Sequence, residues 1–120
     1  MNNEKTIKLC GKDVRLRYCA ATENGFEQIS GKSINDINFN SQDDITRLAV
    51  AAILAAYAMK NEDAPVTSDD ILYNATSTEL TELFTAIFQL RAEWYATPKV
   101  VEEAIKAEQE EENEDEPKNA

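Results

Sequence analysis

The chain has 120 residues, which is enough for one domain with a buried core, and its 23 acidic and 12 basic side chains give a net charge of −11. This acidity argues against nucleic-acid binding, which requires a basic surface. The absence of histidine removes the side chain that most often serves as a general base.

The charge is unevenly distributed, since residues 1–20 carry a net charge of +3 and residues 97–120 a net charge of −6. The first residues, MNNEKTIKL, contain no apolar leader, and the two cysteines fit a reducing compartment. We therefore expect a cytoplasmic protein that interacts with other proteins and has no membrane segment.

A β-hairpin over residues 5–19 is predicted at the start of the chain, with strands at Thr6–Cys10 and Asp13–Cys19. Gly11-Lys12 is the predicted loop, because glycine at the first of two loop positions suits a type II′ turn. This loop would place Leu9 opposite Val14, on the apolar side of the hairpin.

A short helix is predicted over residues 20–30, with Phe26 and Ile29 facing inward and Gly31 in the left-handed position that ends many helices. Residues 33–40 are predicted to be a loop whose apolar side chains, including Phe39, alternate towards the core.

The central helix is predicted over residues 41–60, with Ser41 as its N-cap. From Leu48 to Met59 the only polar side-chain group is the Tyr57 hydroxyl, so this helix must be covered on most sides. Alanines at five positions between 49 and 56 allow neighbouring helices to approach closely. The rest of the fold is therefore expected to pack around this helix.

Two capping patterns begin the later helices, Thr67-x-x-Asp70 and Thr76-x-x-Glu79. The predicted helices in this half cover residues 67–74, 77–96 and 98–107. The sequence therefore predicts an α+β, mainly α-helical fold, in which the hairpin packs on a small bundle of about four to five helices. We expect a single globular domain over residues 1–107 and a disordered acidic tail over residues 108–120, which lacks apolar side chains before Ala120.

No catalytic or cofactor site is predicted. Gly31-Lys32-Ser33 looks like the end of a phosphate-binding loop, but Phe26 occupies the position where that motif requires its first glycine. A helix end followed by a turn explains it better. The paired acids Asp43-Asp44 and Asp69-Asp70 fall in first turns of predicted helices, where the helix dipole accounts for them. We therefore expect a protein that is not an enzyme and binds no cofactor or metal.

Three groups of side chains are candidates for binding another protein. The basic face of the hairpin is either a solvated surface, an edge for strand addition or a dock for an acidic segment. A second apolar stripe on the central helix exceeds what a small domain easily hides, and an aromatic series on helix 77–96 is either core or partner surface. The members are Lys8, Arg15 and Arg17; Val50, Leu54 and Tyr57; and Phe84, Phe88, Trp94 and Tyr95.

Two short motifs near the N-terminus carry a resemblance. A hairpin of the form I-x-L-x-G-K-x-x-x-L-R-Y/F is matched by Ile7, Leu9, Gly11, Lys12, Leu16, Arg17 and Tyr18. A stretch F-E-x-x-T-G-K-S is matched by Phe26, Glu27, Gly31, Lys32 and Ser33, with Ser30 in place of threonine. With the Ala/Leu-rich helix, the short SDDIL helix, the long amphipathic helix and the charged tail that follow, this order resembles the tail assembly chaperones of long-tailed bacteriophages and prophages.

The resemblance implies a non-enzymatic protein that binds and solubilises the helical tape-measure protein and recruits tail-tube subunits. Such proteins act in the cytoplasm of the bacterial host, are absent from the mature virion, and in several cases form homo-oligomers. The residues alone also allow a small acidic regulatory or antitoxin-like protein that neutralises a basic partner.

Overall fold

The computed structural model describes residues 3–96 and places a two-stranded antiparallel sheet beside four helices. The strands are β1, Glu4–Leu9, and β2, Lys12–Arg17. The helices are α1, Ala20–Ser30; α2, Gln42–Ala58; α3, Ser68–Asn74; and α4, Ser77–Ala96, with a short 3-10 helix at Ile34–Asp36. The α+β, mainly helical prediction is confirmed. The predicted helix over residues 98–107 and the predicted tail over residues 108–120 lie outside the described residues.

The central position of α2 follows from its small and apolar side chains. Ser41 caps the helix, and its hydroxyl accepts a hydrogen bond from the N–H of Asp44 at 3.2 Å. The helices α1 and α4 and strand β2 all pack against α2. Where α1 crosses, a Cβ at Gly25 would lie only 3.3 Å from the Cβ of Ala51, so these two small residues set how closely the helices approach. Within residues 3–96, none of the helices is both long and apolar enough to cross a membrane.

The hairpin turns one residue earlier than predicted, at Cys10-Gly11 rather than Gly11-Lys12. Both turn residues have positive φ, 54° and 75°, as a type I′ turn requires. The pairing places Lys8 opposite Asp13, whereas a loop at Gly11-Lys12 would have placed Lys8 opposite Arg15. The expected pairing of Leu9 with Val14 is therefore wrong. Because the register differs by two residues, each side chain keeps its predicted face.

Charge favours the observed register. The Lys8 ammonium lies 2.8 Å from the Asp13 carboxylate near the turn, and at the other end Glu4 lies opposite Arg17, with their charged atoms 3.4 Å apart. Opposite charges across a strand pair stabilise it, whereas the register predicted from glycine at the first loop position would have placed two cations together.

Both predicted capping patterns are confirmed. The Thr76 hydroxyl accepts from the N–H of Glu79 at 3.1 Å, and the Thr76 N–H donates to the Glu79 carboxylate at 3.0 Å. The second carboxylate oxygen of Glu79 accepts from the N–H of Gly11 at 3.1 Å, which fastens the hairpin turn to the start of α4. The hydrogen bonds from these backbone N–H groups lower the pKa of Glu79, and the bond from Thr76 has the largest effect. Thr67 and Asp70 form the same reciprocal pair at the start of α3.

The prediction that Gly31-Lys32-Ser33 is a helix end is confirmed. Gly31 adopts φ 75° and its N–H donates to the Glu27 carbonyl, closing α1. The Lys32 ammonium lies 2.7 Å from the carboxylate of Asp44, whose side chain is only 2% exposed. The Asn38 N–H donates to the same carboxylate at 2.9 Å, and Lys32 and Asn38 together lower the pKa of Asp44. The segment therefore joins α1 to the start of α2.

Candidate functional site

An apolar groove of about 340 Å³ runs along one side of α2. Val50, Ile53 and Leu54 form its helical wall, and Leu54 is 48% exposed. Ile29, at the end of α1, borders it and is 42% exposed, so the prediction that Ile29 faces the interior is wrong. We call this feature the α2 groove. It is lined by Ile29, Thr46, Arg47, Val50, Ile53, Leu54, Ala64, Val66, Thr67, Ser68 and Ile71.

The wall opposite α2 was not predicted as part of a site. It consists of the segment that leads into α3, where Val66 is 4% exposed and Ile71 is 1% exposed. Val66 immediately precedes the N-cap Thr67, and Ile71 is the fourth residue of the helix. These are the two positions of a hydrophobic staple, which fixes the angle at which a chain enters a helix. This spacing, combined with the Thr67 capping pattern, is a sequence signal from which the packing of Val66 against Ile71 could have been predicted.

The chemistry of the α2 groove suits apolar side chains rather than a reaction. Its polar groups are the hydroxyls of Thr46, Thr67 and Ser68 and the guanidinium of Arg47. Arg47 nitrogens lie 3.6 Å and 3.9 Å from the carboxylates of Asp43 and Asp44, so its charge is partly balanced within α2. Among residues 3–96, no group of three or more cysteine, aspartate or glutamate side chains is placed to hold a metal ion.

Tyr57, the third residue of the predicted stripe, is separated from the groove. Its hydroxyl accepts a hydrogen bond at 3.1 Å from the backbone N–H of Arg15 on β2, and its ring lies beneath the Arg15 guanidinium, 4.4 Å from the centroid. Tyr57 therefore covers the outer edge of β2. Of the predicted stripe, Val50 and Leu54 remain available at the groove.

Each predicted basic residue of the hairpin has an acidic neighbour within the chain. Lys8 and Arg17 are paired across the hairpin as described, and Arg15 forms an ion pair with Glu62 in the segment after α2. This pairing removes much of the excess positive charge that the sequence suggests for this face. An acidic partner would therefore meet a balanced surface rather than a basic one.

The predicted aromatic series on α4 divides into two pairs. Phe84 and Trp94 are partly buried against the core, and the Trp94 ring lies 6.2 Å from that of Tyr18. Phe88 is 40% exposed and Tyr95 is 50% exposed. Phe84 and Trp94 therefore act mainly in packing, and Phe88 and Tyr95 lie at the surface.

The exposed pair on α4 is joined by Phe39 and Arg91. The Phe39 and Phe88 rings lie 5.5 Å apart, and the Arg91 guanidinium lies 4.8 Å from the Phe39 centroid and 4.6 Å from that of Tyr95. Phe39 is 36% exposed, so the expectation that it points into the core is wrong. Sandwiching a cation between aromatic rings fixes these side chains in place and makes a more polar surface than the α2 groove.

The structure thus brings Val50 and Leu54 together in one groove and leaves the basic residues and the aromatic series on other surfaces. No family model, no curated protein and no solved structure matches the chain.

Proposed function

We propose that the chain is a tail assembly chaperone of a long-tailed phage or prophage. It binds and solubilises the tape-measure protein in the cytoplasm of the bacterial host, recruits tail-tube subunits, and leaves before the virion is complete. The motif order of residues 7–33 supports this proposal, and the α2 groove supplies a physical means of binding a helical client.

The observation that carries the proposal is the exposure of Leu54 and Ile29 beside an apolar groove. Amphipathic helices bind in such grooves by inserting apolar side chains spaced three or four residues apart. Burial of apolar area contributes about 25 cal/mol per Å², so one groove of this size gives a modest affinity. A long helical client would bind many copies of the chaperone, and their contacts would add through multivalency.

Co-expression with the tape-measure protein encoded in the same genome tests the proposal. We expect the chain to move the tape-measure protein from the insoluble to the soluble fraction and to be recovered with it. The substitution Leu54→Glu, which places a charge at the mouth of the groove, should abolish this effect because a buried, unpaired carboxylate is costly.

Leu72→Glu is the matched control, since Leu72 is 59% exposed on α3 and does not line the α2 groove. That variant should behave like the unaltered chain. A folded chain that binds neither the tape-measure protein nor the tail-tube protein would refute the proposal. Capture of a basic protein encoded next door would instead support the regulatory or antitoxin-like alternative.

A further inference from the structure

The two edges of the hairpin differ in how their backbone groups are used. Tyr18 donates its N–H to the Asn3 carbonyl across the hairpin, so odd-numbered residues of β1 bond inward, and Glu4, Thr6 and Lys8 direct their backbone groups outward. On β2 the outward N–H of Arg15 is taken by the Tyr57 hydroxyl. Among residues 3–96, nothing equivalent occupies the outward N–H groups of Thr6 and Lys8.

The open edge of β1 borders a channel of about 500 Å³ beside α4, and α4 also packs against β1. On the α4 side the channel is lined by Glu82 and Ala86 and by Thr81, Thr85 and Gln89, the last three of which lie one above another at intervals of four residues. An open edge with unpaired backbone groups is a template for another strand, and the channel leaves room for side chains of that strand.

The charges along β1 indicate which strand would pair with its open edge. We infer that β1 pairs antiparallel with β1 of a second copy of this chain, with the two-fold axis at Thr6. Thr6 then lies opposite Thr6 of the other copy, and Glu4 lies opposite Lys8 on both sides of the axis. The outward backbone groups of Thr6 meet those of Thr6 in the other copy, which gives two inter-chain hydrogen bonds by the geometry of antiparallel pairing.

The outer face of the resulting four-stranded sheet carries rows of alternating charge. Within each copy Asp13 already lies opposite Lys8 and Glu4 opposite Arg17. Across the new interface each row reads Asp13, Lys8, then Glu4 and Arg17 of the second copy, with signs −, +, −, +. Opposite charges and threonine pairs are both favourable neighbours across strands.

Other registers lack this complementarity. Moving the axis to Glu4 places two carboxylates opposite each other, and moving it to Lys8 places two ammonium groups opposite each other, which destabilises a strand pair. On the inner face of the chosen register, Lys5 lies opposite Ile7 of the second copy, so its alkyl stem covers the isoleucine while its ammonium reaches solvent. This pairing is independent of any client in the α2 groove.

Light scattering on the unaltered full chain and on two variants, each with one substitution at Thr6, tests the pairing. The unaltered chain should have twice the 13.4 kDa mass of one chain. Thr6→Pro removes an outward N–H that the hairpin itself does not use, and should raise the dimer Kd at least about tenfold, since two inter-chain hydrogen bonds are lost. The matched control Thr6→Val keeps that N–H and should remain dimeric. A monomeric unaltered chain, or a Thr6→Pro variant as dimeric as the unaltered chain, would overturn the inference.

A cysteine at the axis provides a second test that does not depend on tolerating proline. In a background with Cys10→Ser and Cys19→Ser, Thr6→Cys should form an inter-chain disulfide on mild oxidation, because directly opposed residues have Cα atoms about 5.5 Å apart. Asp13→Cys in the same background is the control, because its position on β2 is separated from its counterpart by both β1 strands. Equal cross-linking of the two variants, or none with Thr6→Cys, would contradict the register.

Discussion

Two leucines on α2 separate the role of the core from that of the α2 groove. Leu48 is fully buried, whereas Leu54, six residues later, is 48% exposed on the groove wall. The same chemical change, leucine to alanine, therefore removes a core contact in one case and a surface contact in the other.

The expected free energies follow from this difference in exposure. Leu48→Ala leaves a cavity in a packed core and should lower the free energy of unfolding by about 3 kcal/mol. Fully burying a leucine contributes about 1.5–3 kcal/mol, so half of that contribution sets an upper estimate of about 1.5 kcal/mol for Leu54→Ala. Client binding should show the reverse order, with Leu54→Ala the more damaging substitution at temperatures where both variants are folded.

Urea unfolding followed by circular dichroism measures the two stabilities, and co-purification with the tape-measure protein measures binding. A Leu54→Ala variant that is as unstable as Leu48→Ala would show that the groove is closed in solution. A Leu54→Ala variant that binds the tape-measure protein normally would refute the assignment of the groove as the client surface.

Three further predictions concern the fold. Gly31→Ala should cost about 1 kcal/mol in urea unfolding, since φ 75° is unfavourable for residues with a Cβ. Because the pKa values of Asp44 and Glu79 are lowered by folding, the unfolded chain binds protons first as the pH falls. Their stabilisation is therefore present above about pH 4 and lost below it, and Asp44→Asn should weaken this dependence in urea titrations at several pH values. Burial of Tyr18 raises the pKa of its hydroxyl, and the hydrogen bond from that hydroxyl to Glu23 raises it further. The stabilisation from Tyr18 should thus be complete below about pH 10 and lost above it, and Tyr18→Phe should flatten the alkaline side of the same titration.

Helix positions were predictable because local signals dominate there. Ser41, Thr67 and Thr76 each satisfy N–H groups that would otherwise lack partners, and Gly31 adopts a conformation that other residues avoid. These interactions depend on residues within four positions of one another. Their predicted helix limits accordingly agree with the structure to within two residues.

The hairpin register and the groove depended on interactions between distant parts of the chain. The Glu79 carboxylate holds the turn at Cys10-Gly11 through the N–H of Gly11, 68 residues earlier in the chain. A local sequence pattern cannot indicate such a contact. The exposure of Ile29 depends on how α1 crosses α2 at Gly25. Apolar periodicity identifies a helix face that avoids water but does not say whether the chain itself covers that face.

The most direct test of the proposed function is site-specific photo-crosslinking between the chain and the tape-measure protein from the same genome. A photoreactive amino acid is introduced at Leu54, in the α2 groove, or at Leu72, on the exposed side of α3. The proposal predicts a cross-linked product with the tape-measure protein from position 54 and little or none from position 72. Equal cross-linking from both positions, or no product from position 54 while the two proteins still co-purify, would contradict binding in the groove.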